Sequence, residues 1–183
     1  MSKNHYRTRA LVFAGVCVAL GVVLPMAFHG LPDGGRVFLP MHIPVLLCGL
    51  LCGPWFGLGC GILAPLLSHL ITGMPLAAAL PGMLCELAVY GLVSGAAGRG
   101  LRIWKGEKRT AKVYAALLCA MLAGRITAGL VNGFIFMAGN YSLKMWLTAS
   151  FVTALPGIAA QLVLLPLLVL ALQRAGIRPP EAA

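Results

Sequence analysis

Long apolar runs separated by short polar segments are the feature that most constrains this chain. Of its 183 residues, 60% are hydrophobic and only 10% are charged, and the mean hydropathy is +0.94. A soluble domain of this length needs more polar surface than that, so the lipid bilayer must act as the solvent. A spanning helix takes about 20 residues, which leaves room for six spans and no separate soluble domain.

Six membrane spans are predicted, at 10–29, 41–53, 55–72, 76–97, 112–138 and 148–173. They indicate an all-α fold, an integral membrane six-helix bundle in which residues 1–183 form a single domain. The second span is short, and Gly53-Pro54-Trp55 predicts a tight turn into the third. Basic residues precede the first apolar run, as in a signal peptide. Further spans follow it, however, so we expect a retained first helix.

The basic residues that give the chain its net charge of +10 are distributed unevenly among the loops and termini. Nucleic-acid binding would need a solvated basic stripe with stacking aromatics, which the sequence lacks, so no nucleic acid partner is expected. Arg36 and Lys144 fall in loops on one side, whereas eleven other basic residues fall at the termini and in one central segment. This asymmetry predicts a multi-pass protein of the cytoplasmic membrane with both termini inside, N-in and C-in. The eleven are Lys3, Arg7, Arg9, Arg99, Arg102, Lys105, Lys108, Arg109, Lys112, Arg174 and Arg178.

Three loops then lie on the outer face, at 29–40, 72–77 and 139–147. They are rich in glycine and proline and contain aromatic residues such as Tyr141 and Trp146. Two interpretations stay open for them: a lid over a pocket, or anchoring of aromatic side chains at the membrane surface.

Two charged residues fall inside predicted spans, Glu86 in the fourth and Arg125 in the fifth. Ionisable groups at bilayer depth are costly, so each is a functional candidate. The two lie at comparable depth on consecutive antiparallel helices and can pair. One interpretation is a structural bridge that sets the register of the two helices. The other is a substrate site, in which Arg125 holds a carboxylate or polar head group and Glu86 orients it.

Four uncharged polar residues extend this set of candidate substrate-binding positions. His42 begins the second span and His69 ends the third, while Asn132 lies in the outer half of the fifth. Asn132 follows Arg125 by seven residues and shares its helix face, which predicts a polar wall that opens outward. Gln161 lies deeper, midway along the sixth span. Each histidine taken singly is better explained as a packing residue, whereas the two together with Asn132 favour an outward-facing pocket.

Enzymatic and metal-binding functions find little support. No H-E-x-x-H, G-x-S-x-G or paired aspartates occur, and no G-x-x-x-x-G-K-[ST] loop for ATP is present. The six cysteines lie in apolar stretches without zinc-ligand spacing, so we expect buried free thiols. We therefore predict a protein that is not an enzyme and has no cofactor and no metal. A stand-alone secondary carrier or channel for a small solute remains the alternative, although no inverted repeat is apparent.

Several segments carry a family resemblance. They are Phe38-Leu-Pro-Met-His-Ile-Pro-Val45, Gly49-Leu-Leu-Cys-Gly-Pro54, Pro65-Leu-Leu-Ser-His-Leu-Ile-Thr-Gly-Met-Pro75, Glu86-Leu-Ala-Val-Tyr-Gly-Leu-Val-Ser-Gly95 and Gly124-Arg-Ile-Thr-Ala-Gly129. In these segments and in their order, the chain strongly resembles the S components of energy-coupling factor (ECF) transporters. The resemblance implies a substrate-binding subunit of an ABC-type importer, which captures a vitamin or related micronutrient outside the cell.

The resemblance also implies partners and a docking face. An S component works with a transmembrane scaffold subunit and two ATPase subunits, and small residues of its first helix meet that scaffold. Here the small residues form two offset pairs, Ala10 with Ala14 and Gly15 with Ala19. In the family the outer halves of the later helices hold the ligand, which carries over to Glu86, Arg125 and Asn132.

Overall fold

Helices account for most of the backbone that the structure describes. The computed structural model describes residues 3–28, 34–105, 107–136 and 142–175, and no β-strand occurs within these ranges. Two π-helical segments, Asn132–Phe136 and Thr148–Thr153, adjoin the α-helices. The α-helices are α1 (Lys3–Ala27), α2 (Gly34–Phe38), α3 (His42–Cys52), α4 (Pro54–Thr72), α5 (Leu80–Gly100), α6 (Arg109–Val131), α7 (Leu143–Leu147) and α8 (Leu155–Arg174).

Five helical stretches in the described ranges are long and apolar enough to cross a membrane: Arg7–Ala27, Pro54–Thr72, Leu80–Gly100, Arg109–Phe134 and Leu155–Arg174. The all-helical membrane class is therefore confirmed. The predicted second span corresponds to α3, whose 11 residues measure about 16 Å, against about 30 Å for the hydrocarbon core. Six full crossings and the orientation of the termini stay predictions.

Helices α4 and α5 approach each other through glycines. A Cβ atom added at Gly57 would overlap the backbone of Gly91, and one at Gly91 would overlap Gly57. Farther along the same contact, Gly61 meets the carbonyl group of Leu87 in the same way. Close backbone approach through small residues is the usual way for membrane helices to pack. This contact sets the depth of α5 and therefore of Glu86.

The corner between α3 and α4 needs glycine. Gly53 has φ 91°, in a region of backbone conformation that residues with a Cβ rarely adopt, and Pro54 begins the next helix. The predicted tight turn is present here. It folds α3 back along α4, and α3 also packs on α5, where Gly49 lies against Gly91 and Ser94.

The core beneath these contacts is apolar and contains four thiols. Cys17, Cys48, Cys52 and Cys60 are buried, and all six cysteines of the chain are free. The prediction of buried free thiols is confirmed for these four. It is wrong for Cys119, which is exposed because it lies on a face of α6 that points away from the bundle, and Cys85 is half-buried.

Candidate functional site

Helix α5 presents two polar side chains to the interior in its N-terminal half. Glu86 follows the first residue of the helix, Leu80, by six positions, about 9 Å along the axis. Tyr90 lies four residues farther on and therefore on the same face. Its ring is fully buried, and its phenol hydroxyl is a polar group within an otherwise apolar stretch of α5. The sequence analysis did not select Tyr90, and its i, i+4 spacing from Glu86 was the available signal.

Glu86 and Arg125 form a buried ion pair between α5 and α6. Arg125 Nη1 lies 3.3 Å from Glu86 Oε1, and the two side chains are 8% and 13% exposed. Gly124 lets the helices come this close, since a Cβ there would lie 3.1 Å from the carbonyl oxygen of Glu86 and 2.7 Å from Tyr90 Cδ1. The pairing expected from their depth is present.

His42 joins this pair from α3. Its Nε2 lies 3.6 Å from the same Oε1 of Glu86, and its ring packs edge-to-face on Tyr90 with the centroids 5.2 Å apart. His42 begins its helix yet is almost completely buried, because α3 packs against α5. We call these four residues, His42, Glu86, Tyr90 and Arg125, the polar cluster.

The polar cluster has more hydrogen-bonding capacity than the protein uses. Within the described part of the chain, six of its buried atoms have no hydrogen-bond partner: His42 Nδ1 and Nε2, Glu86 Oε1, Tyr90 Oη, and Arg125 Nε and Nη2. The 3.3 Å contact to Glu86 is thus an ion pair without hydrogen-bond geometry. Glu86 Oε1 and His42 Nε2 still face each other across 3.6 Å, so the unpaired atoms are the other four: His42 Nδ1, Tyr90 Oη, and Arg125 Nε and Nη2. Leaving a buried polar group unpaired costs about 1–3 kcal/mol, which favours a bound partner at these four atoms.

Arg125 presents a complete recognition edge. Its Nη1 faces Glu86, and the two unpartnered nitrogens, Nε and Nη2, form the side edge of the guanidinium plane. Two parallel N–H donors on that edge match the two oxygens of a carboxylate or phosphate. A bridge to Glu86 and a contact to a ligand therefore use different atoms of one side chain.

The other predicted substrate-binding residues are not members of the polar cluster. They are Asn132, Gln161 and His69. Asn132 lies next to the cluster toward the N-terminal end of α5, because its amide packs where a Cβ of Gly82 would be, one turn before Glu86. Gln161 lies six residues into α8, and its fully buried amide also has no partner among the described residues. His69 lies in the last turn of α4, where its Nδ1 donates a hydrogen bond to the carbonyl oxygen of Pro75 over 2.7 Å. That contact holds the turn that follows α4.

Trp146 packs against α6 beside Arg125 of the polar cluster. It belongs to α7, and its Nε1 donates a hydrogen bond to the backbone carbonyl oxygen of Arg125 over 3.0 Å. Its indole lies directly on Gly129, where a Cβ would approach to 2.5 Å. Residues 139–141 of the predicted outer loop 139–147, including Asn140 and Tyr141, lie outside the described residues, as do residues 29–33 of the loop 29–40.

The small residues of α1 separate into two groups. Ala10 is fully buried and Ala14 is half-buried, so this pair faces the bundle. Gly15 and Ala19 are exposed, and a Cβ at Gly15 would meet nothing within 4 Å. The second pair therefore lies on an open face of α1.

Comparison with known proteins gives one match. A family model described as "ECF transporter, substrate-specific component" matches residues 9–169, which is most of the chain. Neither the curated proteins nor the solved structures compared with the chain gave a match.

Proposed function

Because the chain belongs to the family of ECF transporter substrate-specific components, we propose that it captures a small polar solute in the polar cluster and hands it inward. The observation that carries this proposal is the set of buried atoms without a hydrogen-bond partner on His42, Glu86, Tyr90 and Arg125. A ligand that supplies their hydrogen bonds recovers a free energy that an apolar ligand would not.

The chemistry of the cluster favours a ligand with an acidic group. The free edge of Arg125 accepts a carboxylate or phosphate in a bidentate manner. Glu86 offers an acceptor for a hydroxyl or amide donor of the same ligand, and Tyr90 offers a hydroxyl that can donate or accept. A carboxylated vitamin or a related micronutrient has this combination of groups.

The position of the cluster favours entry from the outer side. Glu86 lies about 9 Å from the outer end of its helix, and Asn132 continues the polar wall outward from there. At the other end of the bundle the basic residues collect, in agreement with cytoplasmic termini. The ligand thus meets the polar wall before it meets the apolar core.

Release inward requires energy that this chain has no motif to supply. No G-x-x-x-x-G-K-[ST] loop is present, so ATP hydrolysis belongs to partner subunits. We assign this role to a transmembrane scaffold and two ATPase subunits. The open face of α1 around Gly15 and Ala19 fits a docking surface for the scaffold, because two helix backbones can approach closely there.

Two measurements test the proposal. Mass spectrometry of the purified protein is expected to find a co-purified small molecule with an acidic group, and binding of that molecule is then measured directly. Liposomes containing this chain alone should show binding without uptake, and addition of the ATPase module and ATP should start uptake. Strong uptake driven by an ion gradient in the absence of the module would instead identify a stand-alone carrier.

A further inference from the structure

A groove of about 560 Å³ opens at the end of the bundle opposite the polar cluster. Arg99 lines it and follows Glu86 on α5 by 13 residues, so the groove and the cluster lie about 20 Å apart along that helix. Its lining combines basic and hydroxyl side chains with large apolar ones: Arg7, Thr8, Arg99, Leu11, Trp55 and Phe56.

The topology explains why these residues meet. Helices α1, α3, α4 and α5 alternate in direction along the bundle, so the starts of α1 and α4 and the end of α5 lie together at one end of it. Arg7 and Thr8 come from the first of these ends, Trp55 and Phe56 from the second, and Arg99 from the third.

The lining changes character with depth. Leu11 lies one helical turn deeper than Arg7 on the same face of α1, about 6 Å nearer the bilayer centre. Trp55 is the second residue of α4 and is 73% exposed, and Leu11 is 66% exposed. An exposed tryptophan at the end of a spanning helix is typical of the interface between head groups and acyl chains. The groove therefore passes from basic at its rim to apolar within.

We propose that this groove binds an anionic phospholipid of the leaflet on the basic side of the bundle. The phosphodiester lies between the guanidinium groups of Arg7 and Arg99, and the start of an acyl chain lies along Leu11. Thr8 and Arg99 also interact with other groups of the protein, but a guanidinium with five N–H donors can serve a phosphate as well. Basic pockets between membrane helices recognise lipid head groups in this way.

The apolar half of the groove distinguishes a lipid from a soluble phosphate. Leu11 is continuous with other exposed apolar residues of α1, such as Val12 and Val16. An acyl chain can occupy this surface in the undocked subunit without leaving the bilayer. Because Gly15 lies one turn beyond Leu11 on the same face of α1, a docking scaffold would meet this lipid at the edge of its own contact. Glycerol phosphate, which has no acyl chain, is expected not to displace the bound lipid.

Native mass spectrometry of the full-length protein tests the proposal. The protein is equilibrated with equal amounts of phosphatidylglycerol and phosphatidylcholine that have identical acyl chains. We expect the wild type to retain phosphatidylglycerol roughly 25-fold better, since each of the two guanidinium groups beside the phosphodiester contributes about fivefold. The double variant Arg7→Gln/Arg99→Gln should lose this preference, and Arg7→Lys/Arg99→Lys should keep most of it. Lys105→Gln, an exposed cation outside the groove, is the matched control and should change nothing.

Several outcomes would overturn the assignment. Equal retention of the two lipids by the wild type would do so, as would a preference that survives in Arg7→Gln/Arg99→Gln or displacement by glycerol phosphate. If that variant retains lipid normally but fails to assemble with the ATPase module, the groove belongs to a protein partner. If it does not fold, the single exposed variant Arg7→Gln is expected to lower the preference about threefold to fivefold, and an unchanged preference again rejects the proposal.

Discussion

Arg125 Nη1 lies 3.3 Å from Glu86 Oε1, and the same carboxylate oxygen lies 3.6 Å from His42 Nε2. Three helices therefore meet at one oxygen atom. The arrangement neutralises the guanidinium with one of its edges and leaves Nε and Nη2 without a partner in the described structure. Structural pairing and ligand recognition are thus separable by substitution.

Replacing Arg125 by lysine should separate them. The ammonium group keeps the positive charge beside Glu86 but has no planar second edge. We expect ligand affinity to fall roughly 10- to 100-fold, the equivalent of one or two charged hydrogen bonds, with little change in the melting temperature. Titration calorimetry and thermal unfolding in detergent measure the two effects, and Arg102→Lys, at an exposed site, is the control. Parallel losses of affinity and stability would indicate a purely structural bridge.

Glu86→Gln should destabilise the protein strongly. The amide has the shape of the carboxylate but leaves the buried guanidinium of Arg125 without a counter-charge, which costs about 3 kcal/mol or more. The double variant Glu86→Met/Arg125→Met removes both charges, so most of the stability should return while ligand binding is lost. Unfolding free energies in mixed detergent compare the variants. A double variant as unstable as Glu86→Gln would show that the uncompensated charge is not the cause.

The glycine contact between α4 and α5 predicts a position-specific effect of alanine. A Cβ at Gly91 overlaps the backbone of Gly57, so Gly91→Ala must push the helices apart and should lower stability by about 1–3 kcal/mol. Ligand binding should weaken too, since α5 carries Glu86. At Gly59 a Cβ meets nothing within 4 Å, and Gly59→Ala should leave stability unchanged or raise it by up to about 1 kcal/mol. Thermal unfolding of both variants checks this, and similar values for the two would refute the close contact.

The open face of α1 predicts a variant that binds ligand but does not transport it. Gly15→Leu places a bulky side chain where the fold has free space, so stability and ligand affinity should be unchanged while ATP-driven uptake is lost. Ala10→Leu should instead destabilise the isolated chain, because Ala10 is fully buried. Val163→Phe, on the exposed face of α8, is the control that adds a bulky side chain to a different exposed surface. Normal uptake by Gly15→Leu in the assembled transporter would remove this face from the docking surface.

Much of the candidate site could be predicted because intramembrane charges are so few. Glu86 and Arg125 stand out in the sequence, and helix rise alone places them at one depth. His42 and Tyr90 could not be placed in the same way. Their meeting depends on α3 folding back at Gly53 and packing against α5 at Gly49. His69 has the same type of side chain as His42, but its contact with Pro75 holds a turn near the surface.

Hydropathy and loop charge are sums over neighbouring residues, so the sequence by itself determined the membrane location, the helical class and the expected side for each loop. Which side chains meet is a different kind of property. It depends on how each helix is rotated and how near two backbones come, and here glycines such as Gly57, Gly91 and Gly124 decide both. Only the tertiary structure could therefore show that Arg125 keeps one edge for Glu86 and leaves the other unpartnered.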